Sequence, residues 1–311
     1  MQIEEVISEI RVSVTGLFVQ DDKEVIQAIL RSRNAVFLDT CFISRMANEK
    51  SIEKIMPFFT KMEAVFIVTD LLLYEMKDSE GNYLQKNNYH FFECMKKAGL
   101  MVVLLNESNI FQMLSEYVKY SDHERNSFLV KVLNENVANL TKLSQLIMKD
   151  KNVDDIFAEG YIIPKSKDYV TSFIDCVKSR KSNQDSLAEE LISLCVIILL
   201  GLPGKTKYYF CSNDLAAQVR YNKSIYTSCL ASIGRAETMN TFTIIQYMIK
   251  ESLLKRTDEE WIVGALKDSI GEAPIVYERK ELPGQSCELK IQIEDIVKRC
   301  FEGECFDLRG R

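Results

Sequence analysis

The stretch Ala35-Val36-Phe37-Leu38-Asp39-Thr40 constrains this chain more than any other. A continuous apolar run of this length suits a strand buried on both faces, which is the habit of parallel sheets. Asp39 then falls at the carboxyl end of that strand, where open α/β sheets place their ligand sites. A carboxylate there either caps the following helix or serves as a ligand for a cation.

The pattern recurs along the chain. Ala64 to Thr69 reads as a second strand running into a helix over 70–78, with Glu75 about one and a half turns in. A helix through His90 to Lys97 precedes a third strand, Leu100 to Leu105. Tyr208 to Cys211 reads as a fourth, leading into Ser212-Asn213-Asp214 and a short helix from Leu215 to Arg220. Ile225 to Cys229 reads as a fifth. Strands alternating with helices at this spacing predict a parallel sheet with right-handed crossovers.

Between these units the texture changes. Residues 107–182 hold almost no Gly, and Phe128, Val132, Val137, Leu140, Leu143 and Leu146 follow helical spacing. They predict a helical block inserted within or packed across the core. An apolar helix follows, opened by Asp185 to Glu190 and closed after Leu200 by Gly201, Pro203 and Gly204. Ile10, Val12 and Val14 alternate as in a short strand, and a helix from Ser51 to Met62 reads as cut at Pro57. After Gly234 the pattern predicts helices from Thr241 to Leu254, from a capping box at Thr257 to Glu260, and near Ile291 to Cys300, with a strand at Ile275 to Tyr277. The expected organisation is an α/β domain over 1–235, with its helical insertion at about 107–182, and a mainly helical extension over 236–311.

Bulk charge announces no nucleic-acid partner: the net charge is −6 and the pI near 5.3, so any basic surface must be local. The clearest local excess is Lys165, Lys167, Lys178, Arg180 and Lys181, against Asp168 and Asp175. The amino terminus lacks the pattern of a signal peptide, and the apolar run Leu191 to Leu202 is too short to span a bilayer. Nine scattered cysteines without a CxxC pair, and only two histidines, argue against zinc and for a reduced, cytoplasmic protein.

Acidic residues fall at comparable topological places. Asp39 ends the first strand, Glu75 lies after the second, Asp185, Glu189 and Glu190 open the apolar helix, and Asp214 follows the fourth strand. Carboxylates gathered at one sheet end repel one another and are stable only with protons or cations bound. Mg²⁺ and Mn²⁺ take such oxygen ligands. This is the equipment for metal-assisted attack of water on a phosphodiester.

In these residues the chain resembles the PIN-domain nucleases. The resemblance is carried by Val36-Phe37-Leu38-Asp39-Thr40, Leu72-Leu73-Tyr74-Glu75, the acidic start of the helix at 185–194, and Cys211-Ser212-Asn213-Asp214. It covers about 34–106 and 183–232, and departs from the family pattern at Cys41, often Asn, and at Ser212, usually Thr. It implies a PIN-like central parallel sheet and a divalent-metal-dependent nuclease acting on single-stranded RNA with Mg²⁺ or Mn²⁺. Asp39 and Asp214 would be metal ligands, and Glu75 and Glu189 would complete the cluster and orient the nucleophilic water. Glu189 fits the third acidic position best, with Asp185 one turn earlier as a further metal ligand and Glu190 adjacent; the choice among the three stays open here. Lys178, Arg180 and Lys181 are the expected substrate-binding residues. No membrane partner is expected, and self-association or an inhibitory protein partner is left open.

Each residue also has a structural role available. Ser186 with Glu189 fits a capping box, Asp39 and Asp214 fit N-caps, Glu75 suits a helix surface, and the basic run suits a solvated face. Two other functional classes compete. One is a catalytically inactive PIN-like scaffold that binds RNA or protein. The other is a haloacid-dehalogenase-type phosphatase, whose general acid would stand two residues after Asp39, where this chain has Cys41.

Overall fold

The computed structural model describes residues 3–81, 83–155, 169–182, 185–229, 234–278 and 287–308. Lys165 and Lys167 lie outside them. The centre is a five-stranded, wholly parallel sheet: β1 (Asn34–Leu38), β2 (Ala64–Thr69), β3 (Met101–Leu105), β4 (Lys207–Cys211) and β5 (Ala236–Met239), in the order β3-β2-β1-β4-β5. The first three strands are laid down outward in one direction. The chain then returns to place β4 and β5 on the other side of β1, so the switch point lies between the carboxyl ends of β1 and β4. Ligand crevices of open α/β sheets form at such a place.

Strand alternation divides the core between the two faces. Val36, Leu38, Phe66, Val68, Val102 and Leu104 face one cluster. Ala35, Phe37, Val65, Ile67, Val103 and Leu105 face the other. The first face is covered by α3 (Thr40–Met46), α4 (Glu49–Met62), α6 (Lys86–Lys97), α13 (Thr241–Lys250) and α14 (Glu259–Ile270). Against the second pack α2 (Asp22–Arg31), the helical block α7 (Gln112–Tyr117), α8 (Asp122–Glu135), α9 (Thr141–Lys149) and α10 (Tyr169–Lys178), and the apolar α11 (Leu187–Gly201). α11 is buried on nearly every side, which explains why its sequence is apolar all round. The remaining helices are α1 (Ile3–Ser13), α5 (Asp70–Glu75), α12 (Leu215–Ser228) and α15 (Ile293–Phe301).

Three expectations are corrected and a fourth is filled out. The alternation at Ile10, Val12 and Val14 belongs to the end of α1: Val6, Ile7 and Ile10 form its buried face while Val12 is 72% exposed. α4 runs straight through Pro57, because Pro57 lies on the exposed side and the buried stripe Ile52, Ile55, Phe58, Phe59 continues past it. Ile225 lies in α12, where Tyr221 and Ile225, one turn apart, are buried and Tyr226 faces outward; the fifth strand is Ala236–Met239, beyond residue 235. The extension is mainly helical, and its expected strand at Ile275 to Tyr277 is β6 (Ile275–Glu278), which with β7 (Cys287–Lys290) and β8 (Phe306–Leu308) forms a small antiparallel sheet in the order β7-β6-β8. Its Val276 and Phe306 join the first core cluster with Ile262 and Ile296.

Candidate functional site

At the switch point the strand ends are tied together by backbone bonds that run past the strands themselves. The Asp39 amide donates to the Cys211 carbonyl at 3.0 Å, and the Ser212 amide to the Met239 carbonyl at 2.9 Å. Asp39 and Ser212 are thereby fixed side by side. The Ser212 hydroxyl donates to Asp39 Oδ2 at 2.5 Å and the Cys41 thiol donates to the same oxygen at 2.7 Å. Asp39 precedes α3 but makes no side-chain cap bond, so the capping role does not account for it. It is 1% exposed. Burial, with the Asp39 charge next, pushes the Cys41 thiol up to about 12, so it stays a neutral donor.

Above Asp39 opens a cleft of about 850 Å³, lined by Thr40, Glu75, Lys181, Asp185, Glu189 and Asp214 among others. Thr40 joins the floor to the wall, its hydroxyl 3.0 Å from Glu75 Oε2 and 3.4 Å from Asp39 Oδ1. Burial raises the Glu75 pKa, opposed by the nearby Lys181 ammonium and reinforced by Asp39. Lys181 is the cleft's internal cation: its Nζ lies 2.6 Å from Glu75 and 2.7 Å from Asp185.

The three candidates for the third acidic position have separate fates. Glu190 is buried and anchors the start of α9, accepting from the amides of Lys142 and Leu143 at 3.0 and 2.9 Å and from the Ser186 hydroxyl at 2.8 Å. Asp185 Oδ1 accepts from the Lys181 ammonium, and Oδ2 accepts from the amide and hydroxyl of Ser182. Burial would raise its pKa, but these donors hold it down at about 2. Both of its oxygens are thus engaged by donors of the chain itself, so a cation there would compete with the Lys181 ammonium. Glu189 is different. Ser186 makes no cap bond and donates instead to Glu190, so the expected capping box with Glu189 does not form. Glu189 Oε2 is buried without a hydrogen-bond partner, and burial followed by the Asp39 charge pushes its pKa up to about 8.

Asp214 does cap α12: its Oδ1 accepts from the amides of Ala216 and Ala217 at 2.7 and 3.2 Å, while the residue remains exposed at the cleft edge. The structure thus gathers Glu75, Asp185, Glu189 and Asp214 around one cleft with Asp39 beneath it. Among the described residues, no three His, Cys, Asp or Glu side chains are grouped closely enough to hold a metal ion as they stand. A site for Mg²⁺ needs only one or two carboxylates with water completing its shell. Asp39 and Glu189 are the pair to weigh against that requirement: Glu189 Oε2 has no hydrogen-bond partner, and burial and then the nearby Asp39 charge raise its pKa against the smaller opposing pull of Lys181.

The expected basic arm is largely reassigned. Lys178 is buried, with Nζ 3.1 Å from Asp70 and 3.2 Å from Glu107. Burial would lower its pKa, but those carboxylates outweigh it and hold the ammonium above its ordinary range. Arg11 binds the same Asp70 at 2.7 Å, so Lys178 completes a buried ionic cluster and has no free charge for a phosphate. Arg180 pairs with Asp150 at 2.5 Å. Of the three expected residues only Lys181 reaches the cleft, and it faces carboxylates. The other cations on the cleft are Lys77, Lys142 and Arg220. Arg220 lies six residues after Asp214 on α12 and has no ion pair among the described residues, a spacing visible in the sequence. Lys142 is brought in by Glu190 capping α9, a long-range event without a local signal.

No family model, curated protein or solved structure matches this chain. No helix among the described residues is long and apolar enough to cross a membrane.

Proposed function

We propose that this chain is a divalent-metal-dependent, PIN-like nuclease that hydrolyses phosphodiester bonds in single-stranded RNA. The observation that carries this reading is the buried, unpartnered Glu189 carboxylate oxygen, held near Asp39 at the switch point of a parallel sheet. Asp39 and Glu189 would hold Mg²⁺ or Mn²⁺, with Asp214 approaching from the cleft edge. When bound, such a cation acidifies a water molecule and neutralises charge on the phosphate.

The chain's own groups divide the remaining work. The Ser212 hydroxyl and Cys41 thiol hold the Asp39 carboxylate in one orientation. Glu75, steadied by Thr40 and Lys181, offers a carboxylate that can orient a water and take up its proton. Lys77 and Arg220 line the cleft where flanking phosphates would pass, beside Lys142, which already faces Asp185 at 3.6 Å. The cleft is an open trench without a groove-reading helix, which suits a single strand better than a duplex.

The second reading is a catalytically inactive scaffold that binds RNA or protein. It is favoured by one observation: Lys181 already neutralises Glu75 and Asp185, leaving fewer free ligands for a cation. End-labelled single-stranded RNA incubated with Mg²⁺ or Mn²⁺ separates the two. The nuclease reading expects cleavage that is abolished by EDTA and by either Asp39→Asn or Glu189→Gln. Absence of cleavage with both metals, together with retained RNA binding, would establish the scaffold; cleavage that persists in the variants would exclude this site.

A further inference from the structure

A second cleft of about 700 Å³ opens on the other side of Asp214, which lines both. It lies between the carboxyl end of β4 and the small antiparallel sheet. Its walls carry Arg45, Asn213 and Lys290, and its apolar surface comes from Ile270, Ile275 and Leu308. The cleft therefore joins residues from both ends of the sequence. The small sheet is held in register with its supporting helices by main-chain bonds from Ile291 to Pro274 and from Ile293 to Glu272.

The second cleft is poorer in acids than the first: among its described lining residues only Asp214 is acidic, beside Arg45 and Lys290. Arg45 is exposed and gives one N–H to the Ser269 carbonyl at 2.8 Å, and it has no ion pair among the described residues. Lys290 is exposed and likewise has no ion pair among the described residues. Asn213 is 8% exposed; its Oδ1 accepts from the Thr241 amide at 2.9 Å, while its Nδ2 is buried without an acceptor. Two cations without an ion pair among the described residues, beside the single carboxylate of Asp214, and an unpartnered amide donor call for an anionic, oxygen-rich group. The adjoining apolar wall, with Ile275 37% exposed, calls for a flat apolar face. A nucleotide supplies both in one residue: phosphate oxygens for the cations and a base for the apolar wall.

We infer that this second cleft is a subsite for a nucleotide flanking the scissile phosphate, so that one nucleic-acid strand passes from the acidic cleft across Asp214 to Arg45 and Lys290. The inference rests on the nuclease reading and deepens it. It assigns the carboxyl-terminal extension a direct part in holding substrate.

The test uses the full chain with Asp39→Asn as background, so that bound oligonucleotide is not consumed, and compares it with the same protein carrying Arg45→Gln and Lys290→Gln. Both side chains are exposed and glutamine keeps a donor for the Ser269 carbonyl, so equal thermal melts are expected. Binding of fluorescent single-stranded RNA is measured across salt for a short and a longer oligonucleotide. Loss of two phosphate contacts is expected to flatten the slope of log K against log salt by about 1.4 and to weaken the longer oligonucleotide at least tenfold. The shortest oligonucleotide, which fills only the acidic cleft, is expected to change little. A melt-matched double variant with the parent's affinity and salt slope overturns the subsite while leaving the nuclease reading intact, provided the protein without Asp39→Asn still cleaves. If that protein neither cleaves nor binds RNA, the nuclease reading and the subsite fall together.

Discussion

Lys181 Nζ lies 2.6 Å from Glu75, a contact between the segment leading into α11 and the end of α5, and the same ammonium reaches Asp185. It is a tethered positive charge inside an acidic cleft. Burial acts to lower its pKa, but Glu75 and Asp185 overcome this and raise it. Lys181→Met leaves Glu75 partly buried without its counter-charge, and losses on breaking a buried pair run to about 3–5 kcal/mol. A distinct fall in Tm is expected. Adding Glu75→Gln should restore part of that loss, because the stranded charge is removed with it. A double variant no more stable than Lys181→Met alone would show that the ammonium acts mainly through Asp185.

Glu189 gives the fold a pH dependence of definite sign. Its folded pKa, about 8, lies above the ordinary carboxylate value, so the folded state holds a proton that the unfolded chain gives up near 4.5. The associated stability is fully present below that lower value and is lost as pH rises through 8. Each pKa unit corresponds to roughly 1.4 kcal/mol, so a change on the order of a few kcal/mol is expected between pH 5 and 8 without divalent cations. Glu189→Gln should flatten the Tm–pH profile and raise Tm at pH 8. A parallel profile in the variant would mean that Glu189 ionises without penalty.

Much of this arrangement is legible in the sequence because strand ends announce themselves. The run Ala35 to Leu38 and the run Ala64 to Thr69 each end at a polar residue, and the sheet places Asp39 where that pattern expects it. Parity and periodicity fail where burial is decided by distant partners. Ile225 looks like strand until Tyr221 one turn earlier shares its buried face, and Pro57 looks like a break until its exposed side is known. Charge is the least legible property. Lys178, Arg180 and Lys181 form a basic run on paper, yet Asp70, Glu107, Asp150 and Glu75 arrive from elsewhere in the chain and, with the neighbouring Asp185, take them up.

Asp39 and Asp214 should respond differently to substitution. Asp214 caps α12 with one oxygen, and Asn caps about as well as Asp, so Asp214→Asn is expected to leave Tm nearly unchanged whereas Asp214→Ala costs about 1 kcal/mol. Asp39 makes no cap bond, and Asp39→Asn retains an oxygen for Ser212 and Cys41 while removing the charge that repels Glu189. A folded protein of equal or higher Tm at pH 8 is expected, with metal-dependent cleavage lost in both Asn variants. Calorimetry beside the cleavage assay checks the pair. A large drop in Tm for Asp39→Asn would assign this carboxylate a structural role.

The buried ionic cluster and the cleft cations separate stability from binding. Lys178 bridges Asp70 and Glu107 inside the fold, so Lys178→Ala strands two buried carboxylates and is expected to cost about 3–5 kcal/mol. Any loss of RNA binding in that variant should then follow unfolding and disappear at low temperature, where the protein is folded. Arg220→Gln behaves in the opposite way under the nuclease reading. Its guanidinium lines the acidic cleft and has no ion pair among the described residues, so its loss should leave Tm within about 0.5 kcal/mol of the parent's stability. It should weaken single-stranded RNA binding and reduce the salt slope by about 0.7, the share of one phosphate contact on a single strand. Thermal melts paired with salt-dependent anisotropy on the two variants decide the matter. If Lys178→Ala melts like the parent and flattens the salt slope, the phosphate path runs past α10 and not across Arg220.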